Sequence, residues 1–293
     1  MTVNIVCFSG GLGNQMFQYA LYKELQSKGK SDVKANLAEY QNNAKRKFEL
    51  PRVFPDIRLE NDENDIYTKR KTAYLKLRTG RNWVAYFNYH LLFCCIYFKE
   101  KEDSVYDKRV YKLRNAAIYG YWQTEKYFSN IREELRKDFT FQYGEKQLEK
   151  IRNKFLNDEK AVAIHIRRGD YLKKPTIYGN LSEGSYYKDA IEIMDSKLDG
   201  AHLIFFSDDI PWVKRHYDFP DAIYISEEMF ERYESWYDMC LMSSCAHNII
   251  ANSSFSWWAA WLNQNQNKIV IAPKKWLNDR ETPDIWCDGW IVL

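Results

Sequence analysis

Ala161-Val162-Ala163-Ile164-His165-Ile166-Arg167-Arg168-Gly169-Asp170-Tyr171 is the stretch whose reading decides the fold of this chain. Its apolar opening reads as a short buried strand that ends at a turn. Two adjacent arginines, a glycine and an aspartate at the carboxyl end of a strand suit a diphosphate. Arginine offers a rigid, permanently charged fork that meets phosphate oxygens two at a time. Gly169 lets the backbone turn sharply, and Asp170 is placed to orient a guanidinium or a substrate hydroxyl. A surface turn carrying a local Arg–Asp ion pair is the competing reading.

The same half of the chain continues in strand-like runs at 202–206, 222–225, 247–251 and 268–272. Amphipathic helical stretches at 186–198, 210–217, 233–244 and 256–264 separate most of them. Such alternation predicts an α/β fold, a parallel sheet wrapped by helices. Ligands of these sheets bind beyond the carboxyl ends of the strands. Polar loops fall at those ends: 167–171, Ser207-Asp208-Asp209 and Asn252-Ser253-Ser254. Their convergence on one edge points to a nucleotide site more strongly than any one of them does.

The N-terminal part opens with a strand at 3–8, a Ser9-Gly10-Gly11-Leu12-Gly13 loop and a helix from Asn14 to Lys28 that ends at Gly29. A glycine loop admits close backbone approach, and a helix N-terminus carries about half a positive charge, which suits an anion. The loop matches neither common phosphate motif. No Gly-Lys-Ser/Thr follows, and the third glycine of G-x-G-x-x-G would fall at Met16. A tight strand-to-helix turn is the plainer reading. From about 31 to 115 the pattern is irregular and charged, and predicts helices and loops without fixing their places.

The 293 residues bound one large domain or two of ordinary size. Aromatic content of 16%, with 10 Trp and 22 Tyr, either fills a core or offers platforms for sugar rings and bases. A net charge of +3 is too small to imply nucleic-acid binding. The cysteines (Cys7, Cys94, Cys95, Cys240, Cys245 and Cys287) show no metal-ligand spacing and read as thiols of a reducing compartment. The short apolar start does not resemble a signal peptide, and none is expected. The longest aromatic-apolar run, Tyr86 to Phe98, falls short of the roughly 20 apolar residues a bilayer needs. A cytoplasmic protein is expected. Lys69, Arg70, Lys71, Lys76, Arg78 and Arg81 precede the aromatic run Trp83 to Phe98. Residues 69–98 therefore predict peripheral contact with anionic lipid at the inner membrane face, against a solvated basic helix beside a buried aromatic one.

Asn252-Ser253-Ser254-Phe255-Ser256-Trp257-Trp258 opens a predicted helix, where hydroxyls either cap the helix, through Ser254 or Ser256, or bind a phosphate. No Asp-x-Asp triplet of the metal-dependent glycosyl transferases is present. No metal is therefore expected, and the charge of a diphosphate falls to Arg167 and Arg168.

In order, Gly10 to Gln18, Gly120-Tyr121-Trp122-Gln123, His165 to Tyr171, Ser207-Asp208-Asp209 and Asn252 to Trp258 resemble the motifs of the α-1,2-fucosyltransferases, glycosyltransferase family 11. The resemblance implies a GT-B-like fold of two Rossmann-like domains. Residues 1–150 would be the acceptor side with an irregular insertion, and 151–293 the donor domain. It implies a GDP-β-L-fucose donor, no metal or other cofactor, inversion at the fucose anomeric carbon, and the 2-hydroxyl of a galactose-terminated glycan as acceptor.

More distant relatives, the protein O-fucosyltransferases and the core α-1,6-fucosyltransferase, imply roles by position. Arg167 would grip the β-phosphate and His165 would lie near the guanine. Asp238, 16 residues before Ser254, would accept the guanine N1 and N2 hydrogens. Gly13 and Asn14, with Gly11 in the same loop, would border the phosphates and fucose. Arg168, Ser207, Asp208, Asn252, Ser253, Ser254 and Phe255 complete the expected donor site. The core enzyme's general base would fall at Pro175, so that role does not carry over, and Asp170 and Glu183 are the candidates. Transfer of another deoxysugar from GDP or dTDP, or sugar and nucleotide binding without turnover, stay open. The basic run 69–81 alone does not support nucleic-acid binding.

Overall fold

Strand β1 (Val3–Cys7) sits inside a sheet of parallel strands ordered β2-β1-β4-β3, with β2 at Asp32–Asn36, β3 at Ile96–Lys99 and β4 at Ala116–Tyr119. These positions come from a computed structural model that describes residues 2–29, 32–41, 46–63, 65–69, 96–101, 104–169 and 171–293. The predicted N-terminal strand, loop and helix are in place. Helix α1 spans Leu12–Ser27, and the chain leaves it through Gly29 at φ +59°, the left-handed region that favours glycine. The irregular stretch from 31 to 115 holds β2 and β3. Strand β2 was not legible because Asp32, Lys34 and Asn36 are weak strand formers. Its register along β1, from Val3 opposite Asp32 to Cys7 opposite Asn36, makes it a strand.

The second sheet is also parallel, in the order β10-β9-β8-β5-β6-β7. Its strands are β5 (Ala161–Ile166), β6 (His202–Ser207), β7 (Ile223–Tyr224), β8 (His247–Ile249), β9 (Val270–Ala272) and β10 (Ile291–Val292). The five predicted strands are all present, and β10 adds a short sixth beside β9. The longer helices described with them are α2 (Lys146–Leu156), α3 (Tyr186–Leu198), α4 (Ile210–His216), α5 (Trp236–Ser244) and α6 (Ser254–Leu262). Val162, Ile164, Ile166, Leu203 and Phe205 on the strands bury against Tyr186, Tyr187, Ala190 and Met194 of α3. Trp257 and Trp258 of α6 are fully buried, so these aromatics fill core.

The strand order decides where a ligand can sit. From β5 the chain steps to β6 and β7 on one side, then returns to β8 on the other. The crevice outside the carboxyl ends of β5 and β8 is therefore the topological switch point, where ligands of open parallel sheets bind. In the first sheet β2 and β4 likewise flank β1 on opposite sides.

The chain divides into two compact units, Met1–Thr140 with Pro283–Ile285, and Phe141–Thr282 with Trp286–Leu293. The boundary expected at 150 falls inside α2, and the helix belongs to the second unit because its buried face packs on α5. Asp170, Cys94, Cys95 and most of the basic and aromatic stretch 69–98 lie outside the described residues. Among the described residues no helix is long and apolar enough to cross a membrane.

Candidate active site

The two arginines after β5 part company. Arg167 is half-buried, with Nη1 3.1 Å from Asp208 Oδ2 and its guanidinium 5.8 Å from the centre of the Tyr171 ring. Arg168 is buried, and its guanidinium is committed inside the protein. Its Nε donates to Asp209 Oδ2 at 3.2 Å, its Nη1 donates to Ser182 Oγ at 2.8 Å, and it lies 3.6 Å over the Trp212 ring. Both arginines were expected at a diphosphate, and the structure gives Arg168 these intraprotein partners. Arg168 locks the strand end onto the loop after β6, and Arg167 is the more exposed of the two.

Ser207 and Asp208, expected at the donor, shape this loop. Asp208 Oδ1 accepts the Arg168 N–H at 2.9 Å while Oδ2 holds Arg167. Gly169 leaves room for that carboxylate, because a Cβ there would collide with it. Ser207 Oγ accepts the Asp209 N–H at 3.0 Å, and Asp209 caps α4 by accepting the Trp212 N–H at 3.2 Å.

The loop after β8 is tied to the same place. Asn252 Nδ2 donates to the carbonyls of Tyr178 at 2.8 Å and Trp276 at 3.0 Å, and the Asn252 carbonyl accepts from the Tyr171 hydroxyl at 2.9 Å. Asn252, expected to touch the donor, is thus a bolt between the two loops. The cap of α6 is Ser253, not Ser254 or Ser256. Ser256 is buried and donates to carbonyls within its own turn. Ser254 is the first helical residue, half-buried, and Phe255 places its ring 6.0 Å from that of His165.

Two polar groups in this unit are sealed from water without a partner among the described residues. One is Nδ1 of His165, a residue only 5% exposed on β5. Burial, helped by the charge of Arg167, pushes its pKa down to about 3, so the ring is neutral in ordinary buffers. The other is Oδ1 of Asp238 in the first turn of α5. Burial pushes that carboxyl up to about 7, against a hydrogen bond from Tyr233 that acts the other way. A helix returning antiparallel to the strands begins at their carboxyl edge, so Asp238 lies on the edge that carries the loops.

In the first unit, the glycine loop is held by glutamines. Gln15 Nε2 donates to the carbonyls of Gly10 and Lys47, and its Oε1 accepts the Glu49 N–H at 2.8 Å. Gln18, fully buried, accepts the Ser9 N–H at 2.9 Å and donates to Ser9 Oγ and the Gly120 carbonyl. Gly11 caps α1 through its carbonyl, which accepts from Asn14 and Gln15 at 3.0 Å, and Gly13 is buried in the first turn. Asn14 Oδ1 accepts from Gln123 Nε2 at 2.8 Å.

Around Arg168 the sequence reading did not place Trp212 and Ser182, which hold it together with Asp209 of the polar loop. Within the first unit it did not place Glu100, which holds the turn at 120–122. Each acts across a distance in sequence that no local pattern reveals. Of the candidate bases, Glu183 stands exposed at the end of the turn Leu181–Glu183 beside buried Ser182, and Asp170 is outside the described residues.

Known proteins resemble this chain in sequence and in fold. An Escherichia coli protein named alpha-1,2-colitosyltransferase is 31% identical over 289 residues, covering 96% of this chain and 94% of its own. The Escherichia coli O-antigen biosynthesis glycosyltransferase WbnK is 28% identical, covering 98% of this chain and 99% of its own. Human galactoside alpha-(1,2)-fucosyltransferase 1 is 25% identical over 145 residues, 46% of this chain and 40% of its own. Among solved structures, the NodZ alpha-1,6-fucosyltransferase superposes at a TM-score of 0.50 with 12% identity, over 89% of this chain and 92% of that one. That likeness is one of fold, and the architecture is of the GT-B kind. The model of the family described as glycosyl transferase family 11 matches residues 2–293, and the chain belongs to that family.

Proposed function

We propose that the chain is an inverting, metal-independent transferase moving L-fucose from GDP-β-L-fucose to the 2-hydroxyl of a galactoside. The observation that carries this reading is the pair of sealed, unpartnered atoms, His165 Nδ1 and Asp238 Oδ1, on the sheet edge that carries Arg167. A buried polar atom without a partner costs about 1–3 kcal/mol, so a ligand that supplies one gains that much. Guanine offers N1–H and N2–H side by side to a carboxylate, a pair that adenine lacks.

Arg167 supplies the charge that a departing GDP needs. The bond from the anomeric carbon to the diphosphate oxygen breaks as the acceptor 2-oxygen attacks the opposite face, which turns a β donor into an α product. Negative charge grows on the β-phosphate, and one preorganised donor at such a place is worth roughly 3–4 kcal/mol in the transition state. The proton of the acceptor hydroxyl passes to a carboxylate, for which Asp170 and Glu183 are the candidates.

A second reading has its own support. One of the two relatives reported above to match nearly the whole chain is named for colitose, which is L-fucose without its 3-hydroxyl. The nucleotide grip and Arg167 serve either sugar. Calorimetry with GDP, ADP and UDP tests the shared part of both readings. GDP should bind at least about tenfold tighter than the others, as expected for a lost pair of charged hydrogen bonds. Equal affinities would contradict the guanine assignment.

A further inference from the structure

We propose that Gln123 is a positioning residue that decides which end of the Asn14 amide faces substrate. The proposal rests on the reading of the chain as a transferase whose glycine loop meets substrate. The stretch Gly120-Tyr121-Trp122-Gln123 has no part in the chemistry described above, yet much of the first unit is arranged to hold it.

Trp122, fully buried, sits at φ +60°, a region that a bulky residue rarely enters. Glu100 keeps it there. This carboxylate, on a residue only 7% exposed, accepts the Tyr121 N–H at 2.7 Å and the Trp122 N–H at 3.1 Å. Gly120 makes room for Glu100, since a Cβ there would run into its side chain. Gln18 fastens the Gly120 carbonyl from α1 at 3.0 Å. The turn so fixed delivers Gln123 Nε2 to Asn14 Oδ1 at 2.8 Å.

The two ends of a carboxamide are nearly alike in shape and opposite in polarity. With Oδ1 held by Gln123, the Asn14 Nδ2 hydrogens must point elsewhere. Nδ2 stands 2.6 Å from where a Gly10 Cβ would be, over the turn that Gly10 makes at φ +80°. The loop therefore presents an N–H donor, suited to an acceptor oxygen of a phosphate or a sugar. Packing alone would have no use for this polarity. A left-handed tryptophan, a buried carboxylate and a crowded glycine fix the turn from which Gln123 reaches Asn14.

The test compares kcat, KM and Tm for the parent, Gln123→Glu, Gln123→Ala and Asn14→Ala, using whichever nucleotide sugar the parent turns over fastest. Gln123→Glu keeps the shape but, when ionised, can only accept. It should draw Asn14 Nδ2 towards itself and turn Oδ1 to the substrate. We expect kcat to fall roughly 10–100-fold, as misplacement of a reacting group does, with Tm within a few degrees of the parent. Gln123→Ala, which frees the amide without reversing it, should lose less. The opposite order, with Gln123→Ala the worse and Gln123→Glu near the parent, would show a packing role and overturn the proposal. If Gln123→Glu lowers Tm strongly, Gln123→Met takes its place: it has the length and no donor, and parent-like turnover would overturn the proposal. An unchanged kcat in Asn14→Ala would instead remove the glycine loop from the substrate, and the proposal with it.

Discussion

Arg167 and Arg168 are neighbours of the same type with different employments, and the difference is one of partners rather than charge. Arg168 is buried among Asp209, Ser182 and Trp212, whereas Arg167 has Asp208 beside it and stands half-exposed. Arg167→Ala should therefore abolish transfer while circular dichroism stays as in the parent. Arg167→Lys should fail nearly as badly, because a point charge does not replace a two-pronged fork. Near-normal turnover in either variant would take Arg167 out of the mechanism. Asp238 has a signature in pH as well. Its carboxyl is raised from 3.8 to about 7 by burial, so between those values the folded chain holds a proton that the unfolded chain has lost. The stabilisation is present in acid and disappears as pH rises through about 7. Asp238→Asn stays uncharged throughout, so without nucleotide its Tm should gain on the parent's from about pH 5 to about pH 8. GDP binding by the same variant should weaken by roughly 1–3 kcal/mol. Unchanged GDP affinity would refute the assignment, whatever the Tm does. The family resemblance pointed to Arg167, His165 and Asp238 by their positions in this sequence. It did not show that Arg168, Ser207, Asp208 and Asn252 build the site, since their partners lie far along the chain.

Among the elements, those with a strong local pattern were legible and those made by their neighbours were not. The apolar runs of β5, β6, β8 and β9 and the periodic helix α3 stand where the sequence put them. Strands β2 and β10 are polar or very short, and exist because β1 and β9 offer an edge to pair with. The glycine loop was read as an anion cradle or a plain turn, and its rigidity has a source outside both readings. Gln18 spans Ser9 and Gly120 from inside α1, so it clamps two loops with one amide. Gln18→Ala would leave the Ser9 N–H and the Gly120 carbonyl buried without that partner, each worth about 1–3 kcal/mol. The Tm should drop by several degrees, read by circular dichroism. A Tm within one degree or so of the parent would mean that water or backbone shifts replace the clamp, and that the loop does not depend on it.

At the scale of the molecule, two parallel sheets were foreseen unequally. Alternating strands and helices announced the second, and the first rested on one strand, one loop and the family resemblance. The end of the chain was not legible at all. Pro283–Ile285 belong with the first unit, where Asp284 accepts the Tyr106 N–H and donates its own N–H to the Ser104 carbonyl. The proposal made above for this family 11 chain is transfer of a GDP-bound deoxysugar with inversion and without metal. The measurement that tests it most directly is the NMR structure of the product formed from GDP-β-L-fucose and a galactoside in the presence of EDTA. The account predicts an α-linked fucose on the galactose 2-oxygen, made at an undiminished rate. A β linkage, or transfer that stops with EDTA and returns with Mn²⁺, would contradict it.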